Sequence, residues 1–210
     1  MKRIALVFCI FLIATPMFAA VDLTGWAAWV DPQSTNTFNS SNANQPFDIS
    51  FSGKLGWGAG VRFGLGSLAV AVDAVEASPT ANYGFPGATL NDTNLKMIPI
   101  TGVLQWHPIG HAYIDPYVGA GVAYVIFQDI NNVNDFGHVG VSQINFKNDA
   151  GFVVNGGIGL NFSPHVGLTG DVKYVPVSSS ATAVFVSGPN QSQKIKINPV
   201  IASVGLTFHF

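Results

Sequence analysis

Apolar and polar residues alternate in short stretches along most of this chain. In residues 166–177, Leu168 and Val172 share one parity, whereas Thr169 and Asp171 share the other. Because strand side chains point alternately to opposite faces, this pattern predicts a strand with one apolar face and one small or polar face. The predicted strands lie at about residues 23–30, 52–63, 68–77, 95–107, 114–128, 150–162, 166–177 and a last stretch that reaches Phe210.

The connections between these stretches alternate in length. Long connections rich in Asn, Ser and Thr lie at residues 33–49, 78–94, 129–148 and 178–193, and tight turns lie at residues 64–67, 108–110 and 163–165. Short turns at one end and long loops at the other are typical of single-chain outer-membrane barrels. The pattern predicts an all-β fold, an eight-stranded antiparallel up-and-down transmembrane β-barrel with short periplasmic turns and four long extracellular loops.

The composition favours a membrane barrel over a soluble one. Charged residues make up 10% of the chain, whereas a soluble domain averages about 25%. Beyond the N-terminal segment, no stretch reaches the ~20 continuous apolar residues of a membrane helix. The alternative of a soluble secreted binding barrel would require more charged residues, with their side chains on the outer surface. We therefore expect a location in the cell outer membrane, surrounded by membrane lipid and lipopolysaccharide.

The N-terminal segment has the layout of a cleavable secretory signal. Lys2 and Arg3 precede an apolar stretch of roughly a dozen residues, which is followed by the small residues Ala19 and Ala20. We expect cleavage after one of these two alanines. The predicted division is a signal peptide at residues 1–20 and an outer-membrane β-barrel at residues 21–210.

Neither the cysteine count nor the histidine spacing indicates an enzyme or a metal site. Cys9, the only cysteine, lies in the predicted signal, which leaves no disulfide and no zinc–thiolate site. The histidines show no metal-ligand spacing, and no nucleophile elbow or phosphate loop is present. His107 and His209 share the inward parity near the periplasmic end, where interior hydrogen bonding is their expected role. We predict no catalytic residue, no cofactor and no metal.

The net charge also excludes one class of partner. Of the nine Lys and Arg residues, Lys2 and Arg3 leave with the signal, so that seven remain against eleven Asp and Glu residues, a charge near −4. A nucleic-acid partner requires a basic surface. We therefore predict no binding of nucleic acid.

Several charged residues fall on the parity that faces the barrel interior. They are Lys54, Arg62, Asp73, Asp171 and Lys173. Because ionised groups in a narrow, low-dielectric interior must be paired, we expect them to form a charge network. The network is either a salt-bridge plug that fills the barrel or the floor of an apolar pocket that diverts a ligand sideways.

Pro99 lies in the middle of the predicted fourth strand. Proline lacks the N–H group that a strand ladder needs, and within sheets it is otherwise confined to edges and bulges. In a closed barrel it predicts a local break in the ladder. This break is a candidate lateral opening, with a bulge without function as the alternative.

The last strand ends in a pattern that resembles the C-terminal sorting signal of outer-membrane barrels. A polar residue and a small residue, Ser203 and Gly205, are followed by Phe208 and Phe210 at alternate positions up to the carboxyl terminus. The resemblance implies that this strand is presented to the barrel-assembly machinery.

Several runs are similar to the OmpW family of outer-membrane barrels. The residues are Ile98-Pro99-Ile100-Thr101, Leu104-Gln105-Trp106-His107, Pro116 to Tyr124, Asn155 to Gly159, Val172-Lys173-Tyr174 and Ile197-Asn198-Pro199. The resemblance covers about residues 95–210 well and the first two strands loosely. It implies passive transport of small hydrophobic molecules through the lumen and a lateral opening. The alternative is a structural or adhesion and receptor barrel with a plugged interior, whose loops bind partners.

Overall fold

The computed structural model describes residues 20–38, 47–85, 88–109, 113–128, 141–185 and 190–210. The predicted signal peptide lies almost entirely outside the described residues. The strands in chain order are β1 (Ala20–Pro32), β2 (Asn36–Phe38), β3 (Phe47–Ser52), β4 (Lys54–Leu65), β5 (Leu68–Glu76), β6 (Thr80–Phe85), β7 (Ala88–Asn94), β8 (Met97–Trp106), β9 (Ile114–Phe127), β10 (Val141–Phe146), β11 (Asp149–Asn161), β12 (Val166–Tyr174), β13 (Ser178–Phe185), β14 (Gln191–Lys196) and β15 (Pro199–His209).

The eight long strands form a closed barrel in the order β1, β15, β12, β11, β9, β8, β5 and β4. Every neighbouring pair is antiparallel, and β1 closes the barrel against β15 in a register that runs from Asp22 opposite His209 to Pro32 opposite Pro199. The predicted eight-stranded barrel is confirmed. Closure pairs the two edges that would otherwise be left open.

The connections follow the predicted lengths, but the long ones are not loops throughout. Strands β2, β3, β6 and β7 form one small sheet, and β10, β13 and β14 form another. Both sheets continue the wall beyond the barrel, because buried side chains such as Ile49, Ile144 and Ile195 still alternate with exposed ones. Because these segments are mostly polar, the sequence analysis did not recognise the short alternation of buried apolar residues on their inner face.

The outer surface of the barrel is apolar. Trp57, Val122 and Phe152 expose 69%, 70% and 61% of their surface, and they all point away from the interior. In β1, Trp26 points inward and Trp29 points outward. Among the described residues, no helix has the length and apolarity needed to cross a membrane.

Candidate functional site

The barrel interior is divided into an apolar level and a polar level. The apolar level lies towards the long connections and is a contiguous cluster of buried side chains, among them Val30, Val75, Met97, Val125, Val153, Val175, Ile197 and Ile201. The polar level lies towards the short turns. The change from polar to apolar takes a single inward step on several strands: Asp73 to Val75, Asn155 to Val153, Lys173 to Val175 and Ser203 to Ile201.

The first group in the polar level is centred on Lys173 and lies directly against the apolar level. We call it the inner cluster: Lys173, Asp171, Asp73 and Trp26. The Lys173 ammonium forms a close salt bridge with Asp171 Oδ1 and lies 3.6 Å from Asp73 Oδ2. Asp73 Oδ1 accepts a hydrogen bond of 3.0 Å from the indole N–H of Trp26. The ammonium also lies 5.2 Å from the centroid of the Trp26 ring, which adds a cation–π contact.

Asp171 receives further donors on its second oxygen. The Tyr117 hydroxyl donates to Asp171 Oδ2 at 2.8 Å, and the Asn155 amide donates to the same atom at 2.9 Å. A buried carboxylate with an ammonium, a phenol and an amide as partners is well compensated for its lost hydration. The inner cluster therefore fixes side chains from β9, β11 and β12 across the barrel.

A second cluster lies at the mouth on the short-turn side and is centred on Arg62. In this mouth cluster Arg62 Nε donates to Asp22 Oδ2 at 2.6 Å, and its NH1 lies 3.7 Å from Asp115 Oδ2. His209 Nδ1 lies 2.7 Å from Asp22 Oδ1, and His107 Nδ1 lies 2.9 Å from Asp115 Oδ1. The two histidines are thus connected through Asp22, Arg62 and Asp115 and do not touch each other directly.

Of the five charged residues that parity assigned to the interior, the structure brings four into these clusters. Arg62 belongs to the mouth cluster, and Asp73, Asp171 and Lys173 belong to the inner cluster. Lys54 does not join them. It is exposed, and its ammonium donates to Asn94 Oδ1 at 3.0 Å.

The exclusion of Lys54 has a local cause. The buried parity is odd in β3 and even in β4 from Gly56 onwards, so the alternation slips by one residue between β3 and β4. Lys54 is the first residue after the slip and lies opposite the buried Val30. Such a slip is the mark of a bulge, which re-aims side chains. At the level of Lys54 the interior is apolar, and an ammonium would have no partner there.

The polar level leaves little free space. Its central cavity has a volume of about 20 Å³ and is lined by residues that include Trp26, Arg62, Gln105 and Lys173. This volume is about that of one water molecule. The described residues contain no group of three or more His, Cys, Asp or Glu side chains that would hold a metal ion. The polar level is therefore a filled floor below the apolar level.

The wall of the apolar level is broken at Pro99. The ladder between β5 and β8 runs up to Ala74 opposite Ile100 and resumes only at an isolated bridge between Ala77 and Met97. The same register places Val75 opposite Pro99. Met97 exchanges both backbone hydrogen bonds with Ala77, at 2.8 and 3.1 Å.

The missing bonds follow from the antiparallel pattern. In an antiparallel pair of strands, every second residue exchanges backbone hydrogen bonds with the residue opposite it. Met97 exchanges such bonds with Ala77, so Pro99, two residues further on, would donate to Val75 if it had an N–H group. On its other side, Pro99 keeps its register with Val125 of β9. On the outer surface, Lys96 and Glu76 form a salt bridge of 2.6 Å that links β8 to β5 beside the break.

The last strand alternates between the floor and the outer surface. Ser203 is buried on the inward face, whereas Phe208 and Phe210 expose 45% and 75% of their surface on the outward face. Gly205 faces inward, and a Cβ atom there would lie 2.5 Å from the Trp26 ring. Glycine is thus required where the Trp26 side chain packs across the seam between β1 and β15.

Sequence analysis did not identify Asp22 and Asp115 as members of the interior network. Asp22 precedes the stretch that was assigned to the first strand, and Asp115 lies at the start of β9 beside the turn. Both carry the inward parity of their strands, and this was the available signal. The partners of Asp22 lie far away in sequence, Arg62 at 40 positions and His209 at 187.

A closed eight-stranded barrel with an apolar outer surface and paired charges inside is an outer-membrane β-barrel. A sequence model described as the OmpW family matches residues 24–210. The chain belongs to the OmpW family.

Known relatives agree with this assignment. Outer membrane protein W of Salmonella typhi is 25% identical over 143 residues, which are 67% of this chain and 66% of the Salmonella protein. The crystal structure of OprG from Pseudomonas aeruginosa has a TM-score of 0.81 at 19% identity and covers 91% of this chain and 95% of OprG. AlkL, solved in DMPC lipid bilayers, has a TM-score of 0.65 at 22% identity, with 92% and 90% covered.

These comparisons place the barrel in the outer membrane, surrounded by its lipid. The matched segment spans about two thirds of the length of the Salmonella protein. The long connections are extracellular and the short turns are periplasmic. The apolar level is thus the extracellular half of the interior, and the polar level is the periplasmic half.

Proposed function

We propose that this barrel mediates passive transport of small hydrophobic molecules across the outer membrane. A molecule enters the apolar level from the extracellular side, meets the charged floor and leaves sideways into the bilayer through the break at Pro99. The observation that carries the proposal is the position of this break, which lies in the wall of the apolar level and directly above the charged floor.

The floor supports the sideways direction on energetic grounds. An apolar molecule that continued downwards would have to displace the partners of Lys173, Asp171 and Asp73, and buried charges without partners are strongly unfavourable. The free space in the floor is about 20 Å³, which is too small for an organic molecule. The break at Pro99 lacks the backbone hydrogen bond that an N–H group at this position would donate to Val75.

Passage requires the apolar side chains to move apart. Met97, Val125, Val153 and Ile197 are less than 2% exposed in the structure. A hydrophobic ligand replaces contacts between these side chains by contacts of the same kind, so the exchange has little cost in hydration. Transport by this route is therefore selective for apolar molecules.

The test is a disulfide that closes the break. Val75→Cys and Pro99→Cys lie opposite each other in the continued register, at a spacing that a disulfide accepts. Uptake of an apolar fluorescent probe into liposomes is measured for the oxidised and the reduced protein. We expect oxidation to reduce uptake to the level of empty liposomes. Reduction is expected to restore uptake to the lower level of Pro99→Ala, because the Pro99→Cys substitution also supplies an N–H donor opposite Val75.

The matched control is a disulfide in the intact part of the same ladder. Ala71 and Val103 are register partners on the same two strands, and both are buried. The variant Ala71→Cys with Val103→Cys is expected to take up the probe equally well in both redox states. If the oxidised Val75–Pro99 pair transports as fast as the reduced one, the break is not the exit. If wild-type liposomes match empty ones, transport itself is disproved.

A second candidate function is a structural or adhesion and receptor barrel. The filled interior favours it, because the apolar side chains of the extracellular half are buried in one cluster and the floor has a cavity of only about 20 Å³. In that case the extracellular sheets formed by β2, β3, β6, β7 and by β10, β13, β14 carry the function. This candidate would be supported if the wild-type protein took up no probe but bound to a cell surface.

The exposed terminal aromatic residues support a role of β15 in assembly. We propose that Ser203, Gly205, Phe208 and Phe210 form the signal that the barrel-assembly machinery reads. Phe210→Ala is expected to lower the amount of folded barrel in the outer membrane without changing the fold of the fraction that inserts. Equal amounts of folded wild type and variant would contradict this role.

A further inference from the structure

Among the residues that the structure describes, Lys and Arg side chains outside the barrel interior lie only towards the extracellular end. The structure describes seven Lys and Arg residues, of which Arg62 and Lys173 lie in the interior. The others lie beyond or at the extracellular ends of the barrel strands: Lys54, Lys96, Lys147, Lys194 and Lys196. These five lysines therefore lie on the extracellular side of the barrel.

Two of these lysines share one face with a row of serines. In the pairing of β13 with β14, Ser180 lies opposite Lys194 and Ser178 lies opposite Lys196. The intervening residue Ile195 is fully buried, so the lysines and serines point outward. Lys147 joins the same face, because it is exposed next to the buried Phe146 and continues the register of Phe146 with Ala181 to lie opposite Ser180. Its backbone N–H donates to Ser180 O at 3.1 Å.

A bulge opens a cleft on this face. The buried parity is even at Ile144 and Phe146 and odd from Val153 onwards, so the alternation slips between β10 and β11. The cleft has a volume of about 150 Å³ and is lined by Lys147, Asn148, Asp149, Ser178, Ser180 and Lys194. Two lysines and two serines therefore line one concave site on the outer surface, together with Asn148 and Asp149.

The lysines of the cleft have no acidic partner among the described residues. Lys96 forms a salt bridge with Glu76 at 2.6 Å, but within the described ranges no carboxylate lies within 4.0 Å of the ammonium of Lys147, Lys194 or Lys196. The one acidic residue of the lining, Asp149, accepts a hydrogen bond of 2.9 Å from the N–H of Ala150. The cleft thus keeps a net positive charge.

The cleft lies at the depth of the lipid headgroups. Phe152, which is 61% exposed, is the last large apolar residue of β11 on the outer surface before the strand begins at Asp149. Three residues of strand span about 10 Å. Since exposed aromatic residues mark the boundary of the hydrocarbon, a site just beyond Phe152 faces the headgroups of the outer leaflet.

We propose that this cleft binds a phosphate group of an outer-leaflet glycolipid. Lys147 and Lys194 supply the positive charge, and the hydroxyls of Ser178 and Ser180 donate further hydrogen bonds. Lysine ammonium groups bind phosphate as point charges, and such bonds are stronger than those between neutral groups. The site is independent of the proposed transport, because its lining lies on the outer surface and not in the lumen.

The test measures lipid binding by native mass spectrometry of the full barrel in detergent micelles. The probes are lipid A, a diglucosamine lipid with two phosphates, and the same lipid without phosphates. We expect wild type to retain phosphorylated lipid A and to release the dephosphorylated form. The double variant Lys147→Ala with Lys194→Ala is expected to bind phosphorylated lipid A at least about tenfold more weakly, since it loses two charged donors.

Lys54→Ala is the matched control, because it removes a lysine from the same end of the barrel but outside the cleft. It is expected to bind as wild type does, and the heat-modifiable migration of all variants on gels shows that they are folded. Equal retention of both lipids, or equal binding by the double variant, would overturn the site. Displacement of lipid A by millimolar inorganic phosphate would show a general phosphate site and would overturn the assignment to lipid.

Discussion

At the residue scale, Gly205 shows how the end of the chain is fitted to its beginning. It pairs with Trp26 across the seam of the barrel, and a Cβ atom at this position would lie 2.5 Å from the Trp26 ring and 2.7 Å from Gly25 O. The small residue in the terminal pattern is therefore needed for closure itself. Any role of the pattern in assembly is added to this packing requirement.

We expect Gly205→Ala to destabilise the folded barrel by about 1–3 kcal/mol, because the methyl group overpacks the seam. The measurement is the free energy of unfolding in urea, with the barrel in lipid vesicles. Gly25→Ala is the control, since it lies on the same pair of strands and a Cβ there meets nothing within 4 Å. Equal stability of the two variants would show that the Trp26 ring moves aside at no cost.

The inner cluster gives a second prediction at this scale. Asp171→Ala removes the closest partner of Lys173, and a buried ammonium that loses its partner costs about 3–5 kcal/mol. The double variant Asp171→Leu with Lys173→Met removes both charges and is expected to recover most of this loss. Unfolding in urea measures both, and a double variant as unstable as the single one would contradict the pairing.

At the scale of elements, the alternation of side chains predicted the barrel strands but not the slips between them. Eight strands and the inward faces of Asp73, Asp171 and Lys173 follow from a period of two. The face of Trp26 does not, because Trp26 and Trp29 have opposite parities. Lys54 was misplaced because the parity of β4 was extended to its first residue, which adjoins a slip near Gly53 and lies opposite Val30, where the interior is apolar. A one-residue slip reverses every later position.

The sequence also did not predict which side chains of different strands contact each other. Parity states which face a residue occupies, but not its height in the barrel, because height depends on the register of strands that are distant in the chain. Asp22 and His209 come together through the pairing of β1 with β15, 187 positions apart. The extracellular sheets were missed for a different reason, since their few inward apolar residues are outnumbered by Asn, Ser and Thr.

Pro99 carries the prediction that belongs to β8. Pro99→Ala supplies the missing N–H donor opposite Val75, and one added hydrogen bond of about 1 kcal/mol corresponds to about a fivefold change in the population of the open break. We expect uptake of an apolar probe to fall by about this factor. The control is Pro116→Ala on β9, which lies near the periplasmic end and away from the break. Unchanged uptake by Pro99→Ala would assign the break to a bulge without function.

At the scale of the whole molecule, the two levels of the interior predict a barrel that is closed to ions. The carboxylates of the floor outnumber its Arg and Lys side chains, since Asp22, Asp73, Asp115 and Asp171 face Arg62 and Lys173. The floor has space for about one water molecule. We expect the wild-type protein to show no steady ion conductance in planar bilayers, whether or not it carries the apolar molecules of the proposed function.

Trp26→Ala tests this separation of pathways. Its indole is 8% exposed, closes the floor over Lys173 and donates to Asp73. Removing it opens a hydrated space beside an excess of carboxylates, so we expect a cation-selective conductance in planar bilayers. Trp29→Ala is the control, because Trp29 lies three residues further on the same strand and is 50% exposed on the outer surface. Conductance in wild type, or none in Trp26→Ala, would mean that the floor does not form the ion barrier of the barrel.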